Sequence, residues 1–126
     1  MINLAFVFPG QGSQKMGMLQ DAREASADLF AEASSVLGYD LWDLVENGPE
    51  DQLNQTEYTQ PALLTASIAL LRLAQARGLP SPDAVAGHSL GEYSALVAAG
   101  VLQFADAVML VQKRGQFMQT AVPIGE

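Results

Sequence analysis

The first clear pattern along the chain is an apolar run, Leu4-Ala5-Phe6-Val7-Phe8, cut off by Pro9-Gly10. A short continuous run bounded by a turn predicts a buried strand of parallel type. Pro9-Gly10-Gln11-Gly12-Ser13 is then a loop. From about Arg23 to Leu37 the apolar residues Leu29, Phe30, Ala33, Val36 and Leu37 recur at helical spacing, and Gly38 closes the helix. Leu41 to Val45 predicts a short helical turn ending near Asn47-Gly48-Pro49, and Pro49 to Leu53 a second. The longest helix runs from Thr59 to Arg77, with Pro61 near its first turn, where a missing amide costs little. Leu63, Leu64, Ile68, Leu71 and Leu73 crowd much of its circumference, which predicts burial on more than one side. Gly78 ends it. Leu79-Pro80-Ser81-Pro82 is a rigid connector into a second strand, Asp83-Ala84-Val85-Ala86. Glu92 to Ala99 predicts a helix stopped by Gly100. A last helix, from about Phe104 to Thr120, carries Val108, Leu110, Val111, Phe117 and Met118 and stops before Pro123. No repeat, low-complexity tract or linker interrupts the series.

Two strands among several helices indicate an α/β layer fold. Two parallel strands do not make a sheet that can be covered on both faces, so the sheet is expected to be completed by residues absent from this chain. The length, 126 residues, allows one domain at most, and 49% hydrophobic content suffices for a core. No long charge-free apolar run is present. Ile2 to Phe8 is too short for a signal peptide, so a cytoplasmic location is expected. The absence of cysteine excludes disulfides, thiolate metal sites and a cysteine nucleophile. The net charge of −8 argues against nucleic acid and anionic membrane surfaces. With only six basic residues, an anionic substrate must rely on one or two specific cations.

The strongest chemical signal lies between the second strand and the helix after it. Gly87-His88-Ser89-Leu90-Gly91 fits the Gly-x-Ser-x-Gly nucleophile elbow, a sharp turn that exposes a serine oxygen. Ser89-Leu90-Gly91-Glu92 also fits a capping box, in which Ser89 would be only a helix cap. The glycines favour the elbow. A cap needs neither, whereas closely crossing strand and helix leave no room for side chains at Gly87 and Gly91. Serine is a poor nucleophile unless a base takes its proton and donors hold the oxyanion. The backbone amide of Leu90, opening a helix, is one candidate donor. The Gln11 amide, between Gly10 and Gly12, is the other, although an ordinary glycine-rich turn explains that loop equally well. The loop is neither a dinucleotide fingerprint, since Lys15 replaces the third glycine, nor a P-loop. The chain's only histidine, His88, adjoins the serine, and adjacent strand residues point to opposite faces. A packing or hydrogen-bonding role therefore suits His88 better than catalysis, and no base is visible. Glu92 suits the positive helix end as a cap and field partner. Arg23, Arg72 and Arg77 look solvated. Arg114 stands mid-helix beside Gly115, a residue that permits close approach. A surface position is the commoner fate of an arginine, and a fork aimed at a carboxylate is the alternative.

Phe8-Pro9-Gly10-Gln11-Gly12-Ser13-Gln14, Thr59-Gln60-Pro61-Ala62, Gly87-His88-Ser89-Leu90-Gly91-Glu92-Tyr93 and Arg114-Gly115-x-x-Met118 occur in that order. Together they resemble the malonyl-CoA:acyl carrier protein transacylase family, and the resemblance covers the whole chain. The same motifs occur in acyltransferase domains of fatty-acid and polyketide synthases. The resemblance implies that Ser89 carries malonyl as an ester, that the Gln11 and Leu90 amides form the oxyanion hole, and that Arg114 pairs with the free malonyl carboxylate. Leu90 resembles the residue of malonyl-selective members. The implied reaction is ping-pong, from malonyl-CoA to Ser89 and then to the phosphopantetheine thiol of acyl carrier protein, with no further cofactor and no metal. The family's domain continues with a ferredoxin-like subdomain, further sheet strands and the catalytic histidine. Residues 1–126 correspond to the N-terminal part of its larger, α/β-hydrolase-like subdomain, so a second chain or fragment is an expected partner. Starting at Met1 favours a free-standing enzyme over a synthase domain. The alternatives are a catalytically incomplete structural or binding fragment, an acyltransferase piece of a polyketide synthase, and a serine hydrolase. Arg114 and the Gln11 loop speak against the hydrolase, because a transferase must hold a charged acyl group away from water.

Overall fold

The computed structural model describes residues 4–19, 23–80, 82 and 84–121, with the side chains of residues 23–25 left aside. Met1, Ile2, Ser81, Asp83 and Pro123, all named above, lie outside the described residues, as does the Arg23 side chain. The elements in order are β1 (Ala5–Phe8), α1 (Arg23–Leu37), α2 (Leu41–Asn47), α3 (Glu50–Leu53), α4 (Thr56–Ala76), β2 (Ala84–Gly87), α5 (Gly91–Ala98) and α6 (Phe104–Ala121).

β1 and β2 pair in parallel, with Ala5 opposite Ala84 and Phe8 opposite Gly87. Partners in a parallel pair share a face of the sheet. Ala5, Val7, Ala84 and Ala86 make one face, and all four are exposed, Val7 at 78%. Phe6, Phe8, Val85 and Gly87 make the covered face. The strands are thus buried on one side only, contrary to the burial expected from their apolar composition. An apolar groove of about 380 Å³ runs beside β1, along Leu70, Leu71 and Ala74 of α4.

α4 is the central helix. It packs against α1, α5 and α6, while α5 also packs on both strands. Its first half is buried on every side, from Thr59 through Ala66, with Ile68 and Ala69. Its second half opens toward solvent, so Leu71 and Leu73 are only partly covered and Leu70 is exposed. The helix begins at Thr56, three residues before the expected Thr59, which places Pro61 inside it. Two features sustain the longer start. The Thr56 N–H donates to Gln119 Oε1 of α6 at 3.0 Å. The Thr59 hydroxyl, bonded to the Leu53 and Gln55 carbonyls, ties the first turn to α3.

Asp40 caps α2, its carboxylate accepting from the Asp43 N–H at 3.0 Å. Along α6 the buried stripe is Phe104, Ala107, Val108, Val111 and Gly115. Leu110, Phe117 and Met118, expected on the apolar face, fall outside that stripe and are exposed, Phe117 at 75%.

Candidate active site at the β2–α5 turn

The turn after β2 is built by absence of side chains. A Cβ on Gly87 would overlap the Gly91 carbonyl, and a Cβ on Gly91 would overlap the Phe8 carbonyl. Strand β2, the start of α5 and the end of β1 therefore meet backbone to backbone. Between the glycines, Ser89 takes φ +56°, the sole non-glycine residue with positive φ among the described residues. Such a bend lifts its side chain off the sheet end, and Ser89 is exposed.

The capping box does not form. The residue preceding α5 is Leu90, in helical conformation, and no side chain caps the helix. The Ser89 carbonyl takes the Glu92 N–H at 3.1 Å, while its hydroxyl accepts from Arg114 Nη2 at 3.0 Å. Glu92 lies exposed in the first turn of α5, where its charge meets the helix's positive end. The His88 ring is exposed and makes no hydrogen bond among the described residues, so the packing or bonding role expected of it is not observed.

Arg114 is half-buried and held from three directions. Its Nη2 reaches Ser89, and its Nη1 donates to Gln60 Oε1 at 2.9 Å. The guanidinium carbon stands 5.7 Å above the centre of the Tyr93 ring, within cation–π range. The surface-arginine reading is thereby set aside. Gly115 brings α6 close enough for this, since a Cβ there would lie 2.7 Å from Glu57 Cα of α4. Gln60 is fully buried, and its Nε2 donates to Met118 Sδ at 3.1 Å. That second bond fixes the amide so that its oxygen faces the arginine.

The Pro9–Gly12 loop lies against the same turn. A Cβ on Gly10 would come within 2.9 Å of the His88 carbonyl and 3.8 Å of Ser89 Cβ. The Gln11 and Leu90 N–H groups donate to no acceptor among the described residues. Leu90 is buried, with its amide at the positive end of α5, while Gln11 is exposed. The Gln11 side chain donates to Thr56 Oγ1 at 3.1 Å. Among the described residues, no three His, Asp or Glu side chains gather as metal ligands, and no helix is long and apolar enough to cross a membrane.

The geometry thus joins the Ser89 hydroxyl to the Arg114 guanidinium, with the unbonded Leu90 amide one residue after the serine and the Gly10 backbone against the same turn. From the sequence, Gln60 and Tyr93 are named only within the resembling motifs and neither is given a role. Each left a faint signal: an amide at the head of the apolar run Pro61-Ala62-Leu63-Leu64, and an aromatic ring four residues after the serine.

The model of the acyl transferase domain matches residues 5–126. The chain belongs to this acyl transferase family. It is 61% identical to the malonyl CoA-acyl carrier protein transacylase of Escherichia coli K12, over 99% of this chain and 41% of that protein. An acyl carrier protein S-malonyltransferase from Vibrio cholerae superposes with a TM-score of 0.92 at 60% identity, covering 98% of this chain and 42% of the other. A malonyl-transacylase solved in complex with a type II polyketide acyl-carrier protein superposes equally well, TM-score 0.92 at 58% identity, over 97% of this chain and 40% of the other. The chain spans about two fifths of the length of the curated relatives it matches.

Proposed function

We propose that this chain supplies the nucleophile, the oxyanion hole and the carboxylate clamp of a malonyl-CoA:acyl carrier protein transacylase acting in the cytoplasm. Residues 1–126 are read as the N-terminal part of its larger subdomain. The observation that carries the reading is the 3.0 Å contact between Arg114 and the Ser89 hydroxyl. A guanidinium at that distance can grip a carboxylate while the adjoining acyl carbon sits against the serine.

In the proposed reaction the Ser89 oxygen attacks the thioester carbon of malonyl-CoA. The carbonyl π electrons move to oxygen, where the Gln11 and Leu90 amides receive the charge. The tetrahedral adduct collapses, the C–S bond breaks, and CoA leaves as thiol with the serine's proton, relayed by a base. The His88 ring makes no hydrogen bond to Ser89, so that base is assigned to residues outside this chain. The phosphopantetheine thiol of the carrier protein then attacks the ester and restores Ser89. The relative solved with its carrier protein supports this choice of acceptor. No cofactor beyond the two substrates is needed.

The test uses the protein as its host makes it. Incubation with malonyl-CoA should place one malonyl group on Ser89, read by intact mass and peptide mapping, and Ser89→Ala should abolish it. Arg114→Ala should lower kcat/KM for malonyl-CoA by about 10- to 100-fold, the worth of a charge-assisted pair, and leave acetyl transfer unchanged. An Arg114→Ala protein that still prefers malonyl over acetyl would remove the clamp from the proposal.

A further inference from the structure

Gln14 has no part in the chemistry described above, yet its carboxamide is committed at both ends. Oε1 accepts from the Gly12 N–H at 2.8 Å, and Nε2 donates to Asn54 Oδ1 at 3.0 Å. The loop it touches is otherwise poorly held. Gly10 and Gly12 offer no side chains, Gly12 sits at φ +108°, and Gln11 to Ser13 are exposed. A backbone with such freedom keeps one position only if something ties it there.

Two ties are visible, and both reach the corner between α3 and α4. Gln14 joins Asn54, and Gln11 Nε2 joins Thr56 Oγ1 at 3.1 Å. The corner is itself anchored to α6, through the Thr56 N–H and Gln119, and α6 carries Arg114. On the opposite side the loop abuts the His88 carbonyl at Gly10. The loop is therefore clasped between the serine turn and the helix corner.

We propose that Gln14, braced by Asn54, is a positioning residue that sets the height of the Gln11 amide over the acyl oxygen. The proposal rests on the reading of Gln11 as an oxyanion donor. Such donors work when they stand about 2.7–3.1 Å from the developing charge, and a displacement of about 1 Å costs on the order of 100-fold in rate. The effect belongs in kcat, because the oxyanion forms only in the transition state.

The two partners can exchange polarity, which gives a test that folding alone cannot mimic. Gln14→Glu keeps the acceptor for the Gly12 N–H and binds Asn54 once that amide turns over. Asn54→Asp keeps an acceptor for Gln14 Nε2. Each single variant is expected to stay within about threefold of the parent kcat, since the hydrogen bond survives. The double variant sets two carboxylates face to face and should lower kcat about 10- to 100-fold with KM for malonyl-CoA unchanged. Gln14→Leu, which loses both bonds, should match it. The assay is malonyl transfer by the host's form of the protein, with Ser89 ester formation followed by mass. A parent that forms no ester overturns the transacylase reading and this proposal with it. A parent that forms ester, alongside Gln14→Leu and double variants with unchanged kcat, overturns this proposal alone. A loss shared equally between kcat and KM also overturns it.

Discussion

Ser89 holds its side chain at φ +56°, where Cβ crowds the following carbonyl at a cost of roughly 1–2 kcal/mol. Strain of this kind persists only when the surroundings impose it, and the backbone contacts at Gly87 and Gly91 impose it here. Replacing glycine by alanine usually stabilises a protein by restricting the unfolded chain; at this position the order should invert. Ser89→Gly is expected to exceed Ser89→Ala in stability by about 1 kcal/mol in urea unfolding, with neither forming the ester. An alanine variant as stable as the glycine one would mean that the bend is not left-handed in solution. Tyr39 offers a second residue-scale test. Its hydroxyl is buried without a hydrogen-bond partner among the described residues. Burial pushes the phenol well above its ordinary value, reinforced by Tyr58 and Glu57. A raised folded-state pKa leaves stability intact below the unfolded value, about 10, and drains it as pH climbs above that. Tyr39→Phe should therefore gain up to about 1 kcal/mol at neutral pH by removing an unsatisfied group, and lose less than the parent between about pH 10 and 12. Thermal unfolding across pH reads both effects. The legible site residues share one property, a local mark: Ser89 and Gln11 have flanking glycines, Leu90 follows the serine, and Arg114 precedes Gly115. Gln60 and Gln14 have no glycine beside them and at most a faint mark, because the partners that define them lie 54 and 40 positions away.

Among the elements, the contact between α4 and α6 decides where the guanidinium stands. A Cβ on Gly115 would lie 2.7 Å from Glu57 Cα and 2.9 Å from the Thr56 carbonyl, atoms that have no rotamer to escape into. Alanine raises helix propensity by about 1 kcal/mol over glycine, while overpacking against fixed atoms costs about 1–3 kcal/mol. The second term should win. Gly115→Ala is expected to lower stability by about 1 kcal/mol and to weaken malonyl preference, because α6 moves away with Arg114 on it. Stabilisation by alanine, seen as a raised Tm, would show that propensity dominates and the helices stand farther apart. The same contact explains which element boundaries the sequence conveyed. α1 and α2 end and begin on local signals, Gly38 after one and the Asp40 cap before the other. The start of α4 is set by Gln119, 63 positions downstream, so local pattern put it three residues late. The apolar composition of β1 and β2 predicted strands correctly and their burial only halfway, because composition records what a strand can bury and not what lies against it.

The molecule as a whole carries a charge of −8, unevenly spread. Every ionisable acid or base from Glu24 to Glu57 is acidic, and no Lys or Arg occurs between Arg23 and Arg72. Helices α1 to α3 therefore crowd carboxylates with a single cation, Arg23 at the start of α1. Among the described residues no ion pair joins a carboxylate to a Lys or Arg side chain. Among the carboxylates of α1 to α3 electrostatics is consequently self-repulsion, set against a core that does the stabilising through Leu29, Phe30, Leu41, Leu64, Ile68 and Val111. Repulsion between exposed charges weakens as the screening length falls from about 30 Å at 0.01 M salt to about 8 Å at 0.15 M. Sodium chloride over that range should raise Tm by a few degrees, about what 1 kcal/mol achieves in a domain of this size. Chloride is the informative salt, because sulfate would also strengthen apolar burial by exclusion from the surface. A protein stabilised by surface ion pairs responds in the opposite sense. A Tm that falls with chloride would therefore require attractive pairs in solution. Replacing Asp43 and Glu46 of α2 with Lys separates the causes further: it should raise Tm at low salt and flatten the salt response, because the repulsion being screened is then largely gone.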